Sequence, residues 1–215
     1  SNPANPVIGE RSFGADPQLV ADMACAMIDG MQHATGATAI AACGKHFPGH
    51  GDTCIDSHLD LPRLSHDMKR LKQVELVPFA AAIKAHVAAL MTSHVIFESL
   101  DPKYPATLSA AVVDGLLRKR MGFDGVVVSD DMEMKASADH FGIDEAVVRG
   151  VNAGIDLFLI CHSPALQNRA IEVLVKAVER GAISCARFEQ SARRFQRLSN
   201  RFERSSQAFS SHVTS

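Results

Sequence analysis

Residues 45–60 read KHFPGHGDTCIDSHLD and place three histidines and three aspartates in one short segment. Imidazole and carboxylate groups bind zinc and similar divalent ions, and they also transfer protons in enzyme reactions. Solvated polar loops can have the same composition. The segment is therefore a candidate metal site, a candidate acid/base site or a plain polar loop.

Metal binding at this segment would draw on five residues of suitable type: His46, His50, Asp52, Asp56 and His58. The H-x-x-x-H spacing of the first two presents both imidazoles on one face only if the segment is helical. Proline at 48 and glycines at 49 and 51 disfavour a helix. The spacing therefore argues against the usual helical metal site.

Acid/base chemistry finds its best candidates two residues apart, at Asp56 and His58. A carboxylate this close can orient and polarise an imidazole. Histidine, with an unperturbed pKa of about 6.5, gives and takes a proton near neutrality, an effect worth roughly 10² to 10⁴ in rate. All three interpretations of the segment remain open on spacing alone.

A second candidate is VVVSDDMEM at 126–134, where an apolar strand runs into Asp130 and Asp131. A carboxylate at a strand end can act as a nucleophile, a base or a metal ligand. The alternative is that one of the two caps the following turn, and this alternative fits Asp131 better than Asp130.

Three further residues could line a site. Arg11, in IGERSFG at 8–14, has a fixed fork of donors that could clamp hydroxyls or a carboxylate, although a surface salt bridge is the simpler role. His94 follows the strand residues MTS, and His162 follows another strand. Each of these histidines could equally be satisfied inside the fold.

Short apolar segments alternate with helical patterns along the chain. The predicted strands are 39–43, 87–92, 125–130 and 155–160. The predicted helices are 17–33, 67–86 with a break near Pro78, 109–120, 144–152, 165–180 and 185–204. Nearly all-apolar strands separated by helices indicate a parallel sheet covered by helices, which is an α/β fold.

Each predicted strand is followed by polar residues, namely KHFPGH, TSH, SDD and CHS. Parallel α/β folds gather their active sites at the carboxyl ends of their strands. Four βα units make half of a (β/α)8, or TIM, barrel. A small doubly wound sheet is the alternative, but the sequence has neither a G-x-G-x-x-G nor a P-loop motif.

Composition excludes several classes of function. The 215 residues include 22 basic and 24 acidic ones, giving a formal charge of -2 without a basic run, so we expect no nucleic-acid partner. Five scattered cysteines fit a reducing compartment. No apolar run reaches the roughly 18 residues of a membrane span. We expect a cytoplasmic protein without membrane contact, while an export signal upstream of residue 1 stays open.

Taken in order, five segments resemble the second half of the catalytic barrel of family 3 glycoside hydrolases. They are NPVIGERSFGADPQLV, GKHFPGHGDTCIDSHLDLP, LMTSH, GFDGVVVSDDMEM and AGIDLFLICHS. Within that family they are most similar to bacterial β-N-acetylglucosaminidases of peptidoglycan recycling. KHFPGHG-x4-DSH followed by SDDMEM is a highly specific combination.

The resemblance implies catalytic roles. Asp130 becomes the nucleophile that forms a covalent glycosyl-enzyme, and His58 the general acid/base with Asp56 as its dyad partner. Retention of configuration needs such a nucleophile together with a group that first protonates the leaving oxygen and then activates water. A histidine in that second role departs from the carboxylic acid of most retaining glycosidases.

The resemblance also implies that Lys45, His46 and Arg11 bind hydroxyls of the terminal sugar. It implies neither a metal nor a cofactor. His50 and Asp52 are expected to brace the loop, and Gly49 and Gly51 to leave Asp56 to His58 free to swing over the substrate.

The function expected from the resemblance is a retaining exo-β-N-acetylglucosaminidase that removes terminal N-acetylglucosamine from peptidoglycan-derived muropeptides. One alternative is a phosphorylase of the same family. A non-catalytic sugar-binding remnant is a second alternative, and a metal-dependent hydrolase is a more distant third.

The resemblance implies a barrel that starts well upstream of residue 1. Residues 1–204 are then its C-terminal part, 205–215 a polar, frayed tail, and the chain a fragment with little or no activity alone. Strand 39–43 would be an open sheet edge and the inner face of the half barrel would be exposed. Such surfaces predict low stability or self-association through the edge.

Overall fold

A computed structural model describes residues 5, 8–34, 39–53 and 61–210 of the chain. Asp56 and His58 lie outside the described residues. The strands are β1 (Cys43–Phe47), β2 (Arg63–Leu64), β3 (Ala89–Thr92), β4 (Ile96–Phe97), β5 (Val126–Asp131) and β6 (Leu157–Leu159). The α-helices are α1 (Pro17–Gln32), α2 (Met68–Gln73), α3 (Leu76–Lys84), α4 (Lys135–Ala138), α5 (Ile143–Ala153), α6 (Pro164–Glu179) and α7 (Cys185–Ser210).

Shorter or irregular helical turns complete the elements. One 3-10 helix, Gly9–Arg11, precedes α1, and a second, Ala106–Leu108, lies between β4 and β5. A π-helix covers Ala111–Arg120. Helix α7 includes residues 205–210 of the segment that the sequence predicted as a tail. Residues 211–215 lie outside the described part of the chain.

Four strands form one parallel sheet in the order β1-β3-β5-β6, and β2 pairs with β4 separately. The predicted α/β class is confirmed. A doubly wound sheet reverses its strand order at a switch point, whereas these strands follow one another in sequence order throughout. Consecutive parallel strands with helical crossovers are the arrangement of a (β/α)8 barrel, and four strands are half of one.

The first strand lies later in the sequence than the apolar run 39–43 predicted. Its register pairs Cys43 with Ala89 and Phe47 with Thr92, so Lys45 and His46 lie within the strand and not after it. Hydrogen bonding to β3 sets these limits, and the pattern of apolar residues does not. Lys45 and His46 therefore lie within β1, close to its carboxyl end.

The two faces of the sheet are packed differently. Leu90 and Val127 are register partners and belong to the large core cluster that packs against the helices. Ala89 and Val126 face the opposite, inner side and pack with Leu198 of α7.

The inner face is therefore covered in part, although the sequence predicted it to be exposed. Ala89 is 6% exposed and Val126 is 1% exposed. At the two outer strands of the sheet, Cys43 is exposed and Leu157 is 37% exposed. The inner face is covered where α7 crosses it, near the amino ends of the strands.

Asp156 ties α7 to the sheet. Its side chain is fully buried and accepts hydrogen bonds from Arg187 Nη2 at 3.0 Å, Ser191 Oγ at 2.6 Å and the backbone N–H of Val127 at 3.0 Å. Arg187 and Ser191 bind Oδ1, whereas Val127 binds Oδ2, to which Arg118 Nη2 of the π-helix also donates at 2.5 Å. One carboxylate thus joins β5, the π-helix and α7.

Burial alone would raise the pKa of Asp156. The charge of Arg118 and the hydrogen bonds from Ser191, Val127 and Arg187 outweigh burial and hold this pKa below its ordinary value. A carboxylate of this kind stabilises the folded state above its unfolded pKa of about 3.9. The stabilisation is lost as the pH falls through the folded-state pKa.

We expect Asp156→Asn to lower the free energy of unfolding by about 3 to 5 kcal/mol at neutral pH, because it leaves buried arginines unpaired. The measurement is urea unfolding followed by circular dichroism. The variant should also lose less stability than the wild type on acidification below about pH 4.

Asp114→Asn is the matched control. Its ion pair with Lys119 spans 2.6 Å, but the two side chains are 48% and 72% exposed. Such surface pairs contribute about 0 to 1 kcal/mol. Equal losses in both variants would contradict the structural role given to Asp156.

Candidate active site

The site centres on two side chains at strand ends. Asp130, near the end of β5, places its Oδ2 atom 3.6 Å from Nε2 of His46 in β1. The two side chains are 15% and 9% exposed, respectively, so the pair is largely withdrawn from solvent but remains open to a ligand. These strands are separated by β3 in the sheet, and their side chains meet where the carboxyl ends gather.

His46 is electrically neutral near neutral pH. Burial lowers its pKa to about 4, and nearby His50, Lys45 and Arg11 add to this effect. The charge of Asp130 opposes them and does not prevail. A neutral imidazole offers one donor and one acceptor, so it can hydrogen bond to a ligand without neutralising the carboxylate.

Asp130 and Asp131 have different roles. Asp130 Oδ1 accepts a hydrogen bond from the N–H of Asp131 at 2.9 Å, and its other oxygen faces His46. Asp131 Oδ1 instead accepts from the N–H groups of Glu133 at 3.2 Å and Cys161 at 3.3 Å. Asp131 therefore caps the following turn, as the sequence suggested for the second aspartate, and leaves Asp130 for chemistry.

Glu133 is a site-building residue that sequence reasoning missed. Its Oε2 atom accepts from the N–H of His162 at 2.6 Å and of Ser163 at 3.3 Å. It therefore fixes the loop that follows β6 and leads into α6. No local sequence signal marks this role, because both of its partners lie 29 and 30 residues further along the chain.

His94 and His162 differ in their surroundings. The imidazole of His94 is fully buried and hydrogen bonded at both ring nitrogens, so the expectation of a histidine satisfied inside the fold is met. The side chain of His162 is 78% exposed, with Nε2 lying 3.4 Å from Asp131 Oδ2.

The loop after β1 is fastened by buried polar contacts. His50 is 4% exposed, and its Nδ1 atom lies 3.0 Å from Thr53 Oγ1. Asn5 donates to the carbonyl of His50 at 2.7 Å and to Thr53 Oγ1 at 3.1 Å. Asp52 Oδ2 lies 2.8 Å from His66 Nε2. His50 and Asp52 thus brace the loop, as expected.

Gly49 allows this loop to pass close to Glu75. Its φ of 152° lies in the region that side chains rarely adopt, and a Cβ atom there would come 2.9 Å from Glu75 Cγ. The predicted flexible role of the glycine is untested, whereas its steric role at this contact is clear.

The structure brings four of the six predicted site residues into one region. Asp130 and His46 are in contact, and Arg11 and Lys45 lie near enough to influence the pKa of His46. Both cationic side chains are exposed. Asp56 and His58 fall in 54–60, outside the described residues, so the dyad stays a prediction.

A metal site finds no support within residues 5, 8–34, 39–53 and 61–210. No group of three histidine, cysteine, aspartate or glutamate side chains in that part of the chain is arranged to hold an ion. Within the same described residues, no helix is both long and apolar enough to cross a membrane.

The strand order and the strand-end chemistry place the protein among the α/β barrels that carry active sites at the carboxyl ends of their strands. Residues 1–198 match the family described as the glycosyl hydrolase family 3 N terminal domain. The chain belongs to glycosyl hydrolase family 3, and the family assignment and barrel type expected from the sequence are confirmed.

Two curated relatives are β-hexosaminidases. The enzyme of Thiobacillus denitrificans is 43% identical over 173 residues, which are 80% of this chain and 46% of the relative. β-Hexosaminidase A of Pseudoalteromonas piscicida is 38% identical over 182 residues, covering 79% of this chain and 29% of the relative. The chain therefore spans less than half the length of these relatives.

A solved structure is similar over nearly the whole chain. The family 3 β-N-acetylglucosaminidase of Paenibacillus sp. strain FPU-7 aligns with a TM-score of 0.91 at 46% sequence identity. The alignment covers 94% of this chain and 38% of that protein.

The neutral state of His46 can be checked by nuclear magnetic resonance. We expect its imidazole not to titrate between about pH 5 and 8, where an ordinary histidine with a pKa of about 6.5 does. Asp130→Asn should lower the pKa of His46 further, because it removes a negative charge, and Lys45→Met should raise it, because it removes a positive one.

Lys69→Met is the control for lost surface charge, since Lys69 is exposed in α2. It should leave the His46 resonances unchanged. A His46 imidazole that titrates near neutrality, or shifts of the same sign in the Asp130 and Lys45 variants, would contradict the electrostatics described above.

Proposed function

We propose that the chain carries the nucleophile and part of the sugar-binding wall of a retaining exo-β-N-acetylglucosaminidase. The observation that carries the proposal is Asp130, a largely buried strand-end carboxylate held beside an imidazole that is neutral near neutral pH. An ion pair with a cationic partner would reduce its nucleophilicity. A neutral neighbour leaves the negative charge available for attack.

The proposed reaction has two displacements. Asp130 attacks the anomeric carbon, the bond to the leaving oxygen breaks, and the general acid gives that oxygen a proton. The same group then removes a proton from water, which attacks the glycosyl ester and releases the sugar and the free carboxylate. We assign the acid/base role to His58, with Asp56 as its partner, on the motif alone.

His46, Lys45 and Arg11 are proposed to bind sugar hydroxyls. His46 can donate to one hydroxyl and accept from another, since it is uncharged near neutrality. Lys45 and Arg11 offer donors only, and both side chains are exposed beside the pair. These three residues would orient the sugar over Asp130 from the β1 side.

The substrate class follows from the names of the relatives, a β-hexosaminidase and a β-N-acetylglucosaminidase. We therefore propose terminal β-linked N-acetylglucosamine as the recognised sugar. Muropeptides as the natural carrier, a cytoplasmic location and self-association of the chain rest on the sequence expectations alone. A phosphorylase differs only in the second step, where phosphate replaces water, and product analysis with and without phosphate separates the two.

The test is covalent trapping by an activated 5-fluoro glycoside of N-acetylglucosamine, followed by intact-protein mass spectrometry. The fluorine slows both displacements, and the reactive leaving group keeps the first faster than the second. One glycosyl adduct should therefore accumulate on the wild-type chain even where steady-state turnover is near background. Peptide mapping should place the adduct on Asp130, and Asp130→Gly should abolish it.

Asp144→Asn is the matched control. Asp144 is a carboxylate on α5 that is paired with Arg169 of α6, away from the site. It should label like the wild type. An unlabelled wild-type chain, or equal labelling after removal of Asp130, would overturn the proposal. Robust hydrolysis of an aryl β-N-acetylglucosaminide would overturn the separate expectation of low activity in the isolated chain.

A further inference from the structure

His94 is packed inside the fold, close enough to Asp130 for the charge of that carboxylate to influence the pKa of the imidazole. Its side chain is fully buried just after β3. Its Nε2 atom lies 3.0 Å from the backbone oxygen of Asp131, and its Nδ1 atom lies 3.0 Å from Thr107 Oγ1. The imidazole thus connects the end of β5 to the turn before the π-helix.

The contacts fix the tautomer of this imidazole. A carbonyl oxygen only accepts, so Nε2 must carry the hydrogen that is donated to Asp131. Burial lowers the pKa of His94, and the ring is neutral near pH 7. Nδ1 of the neutral ring is therefore an acceptor, and the hydroxyl of Thr107 lies at 3.0 Å as the donor within reach.

Thr107 is itself held in place from β3. Its Oγ1 atom lies 2.9 Å from Thr92 Oγ1, and its N–H donates to the carbonyl of Ser93 at 3.3 Å. The Thr107 hydroxyl has one hydrogen and two acceptors within reach, Nδ1 of His94 at 3.0 Å and the backbone oxygen of Ser93 at 3.1 Å. In the Nε2–H tautomer of a neutral ring this hydrogen is directed at Nδ1. Thr107 Oγ1 can then accept from Thr92 Oγ1, which also lies 3.3 Å from the backbone oxygen of Val128. His94, Thr107 and Thr92 are fully buried, so water does not compete for these hydrogen bonds.

The backbone of Asp131 transmits this chain of contacts to the nucleophile. The carbonyl of Asp131 accepts from His94, and the N–H of the same residue donates to Asp130 Oδ1 at 2.9 Å. A shift of this backbone would move the hydrogen bond that orients the Asp130 carboxylate.

We propose that His94 is a positioning residue for the Asp130 nucleophile. As the Nε2–H tautomer, it fixes the Asp131 backbone through a buried chain that runs from Thr92 through Thr107. The inference rests on the proposed function for its catalytic consequence, but its tautomer and hydrogen bonds can be measured without any reaction.

Two substitutions separate the contacts of the imidazole. Glutamine places an amide nitrogen near the position of Nε2 and can keep the donor to Asp131. Asparagine is shorter and reaches only the Thr107 side. We expect His94→Asn to lower the maximal rate of covalent labelling by roughly 10²-fold, the order of loss for a 1 Å misplacement.

The dependence of the labelling rate on the concentration of the 5-fluoro glycoside distinguishes a positioning role of His94 from a general disruption of the site. In His94→Asn the half-saturating concentration of the 5-fluoro glycoside should stay nearly unchanged, and His94→Gln should restore most of the maximal rate. Exchange of the Asp131 amide hydrogen should accelerate in the asparagine variant and not in the glutamine variant. Equal behaviour of the two variants would overturn the proposal.

A second pair of variants decides the case if His94→Asn does not fold. Thr107→Val removes the donor to Nδ1 and should slow labelling, whereas Thr107→Ser keeps the hydroxyl and should restore it. In the wild type, ¹⁵N spectra should show hydrogen on Nε2 of His94 and none on Nδ1. The opposite tautomer, or a protonated ring near pH 7, would refute the inference.

Failure of the proposed function gives a different pattern. The wild-type chain would then not label at Asp130 at all. The tautomer of His94 and the exchange rate of the Asp131 amide in the two His94 variants would still support or refute the positioning contact.

Discussion

The alternation of side chains along the last residues of β5 decides where the other groups of the site can lie. Ser129 and Asp131 face the neighbouring strand and its loop, where Ser129 Oγ accepts from the N–H of Leu159 at 3.0 Å. Asp130, between them, faces the inner side and His46. One strand end therefore carries the carboxylate that faces His46 and, on either side of it, two side chains that hydrogen bond to the neighbouring strand and its loop. A shift of one residue in register would exchange these roles.

The electrostatic environment of Asp130 depends on His46 being uncharged. A protonated His46 at 3.6 Å would form an ion pair with the carboxylate. Burial, together with the positive potential of Lys45 and Arg11, places the pKa of His46 at about 4. The cations that depress this pKa are themselves exposed. Burial and these charges together keep His46 neutral beside the Asp130 carboxylate.

Local sequence rules predicted the elements whose stability is local. The helical pattern of 17–33 predicted α1, whose start is capped by Asp16 Oδ1 accepting from the N–H groups of Gln18 and Leu19 at 2.8 and 2.9 Å. The predicted helix 144–152 corresponds to α5, which ends at Gly154 with a φ of 122°. The π-helical form of 111–120 has no comparable local signal.

Features that depend on partners distant in sequence could not be predicted. The limits of β1 follow from its pairing with β3, whose register partners lie 45 to 46 residues further along the chain, as in Cys43 with Ala89 and Phe47 with Thr92. Glu133 binds backbone that lies 29 and 30 residues further along the chain. From the sequence, His94 could either line the site or have its hydrogen bonds satisfied within the fold. The structure shows the second, because its two hydrogen-bond partners are Asp131 and Thr107, and neither is close to it in sequence.

Stability and chemistry are separated along the sheet. The Asp156 cluster joins α7 and the π-helix to the amino ends of the strands, whereas Asp130 and His46 lie at the carboxyl ends. A buried carboxylate with several donors is costly to disturb, so it belongs where nothing has to bind. Within the part of the chain that the structure describes, the carboxylate at the opposite end has one backbone donor and a neutral neighbour, which leaves part of its hydrogen-bonding capacity for a ligand. Two aspartates near opposite ends of neighbouring strands thus have opposite roles because of their surroundings.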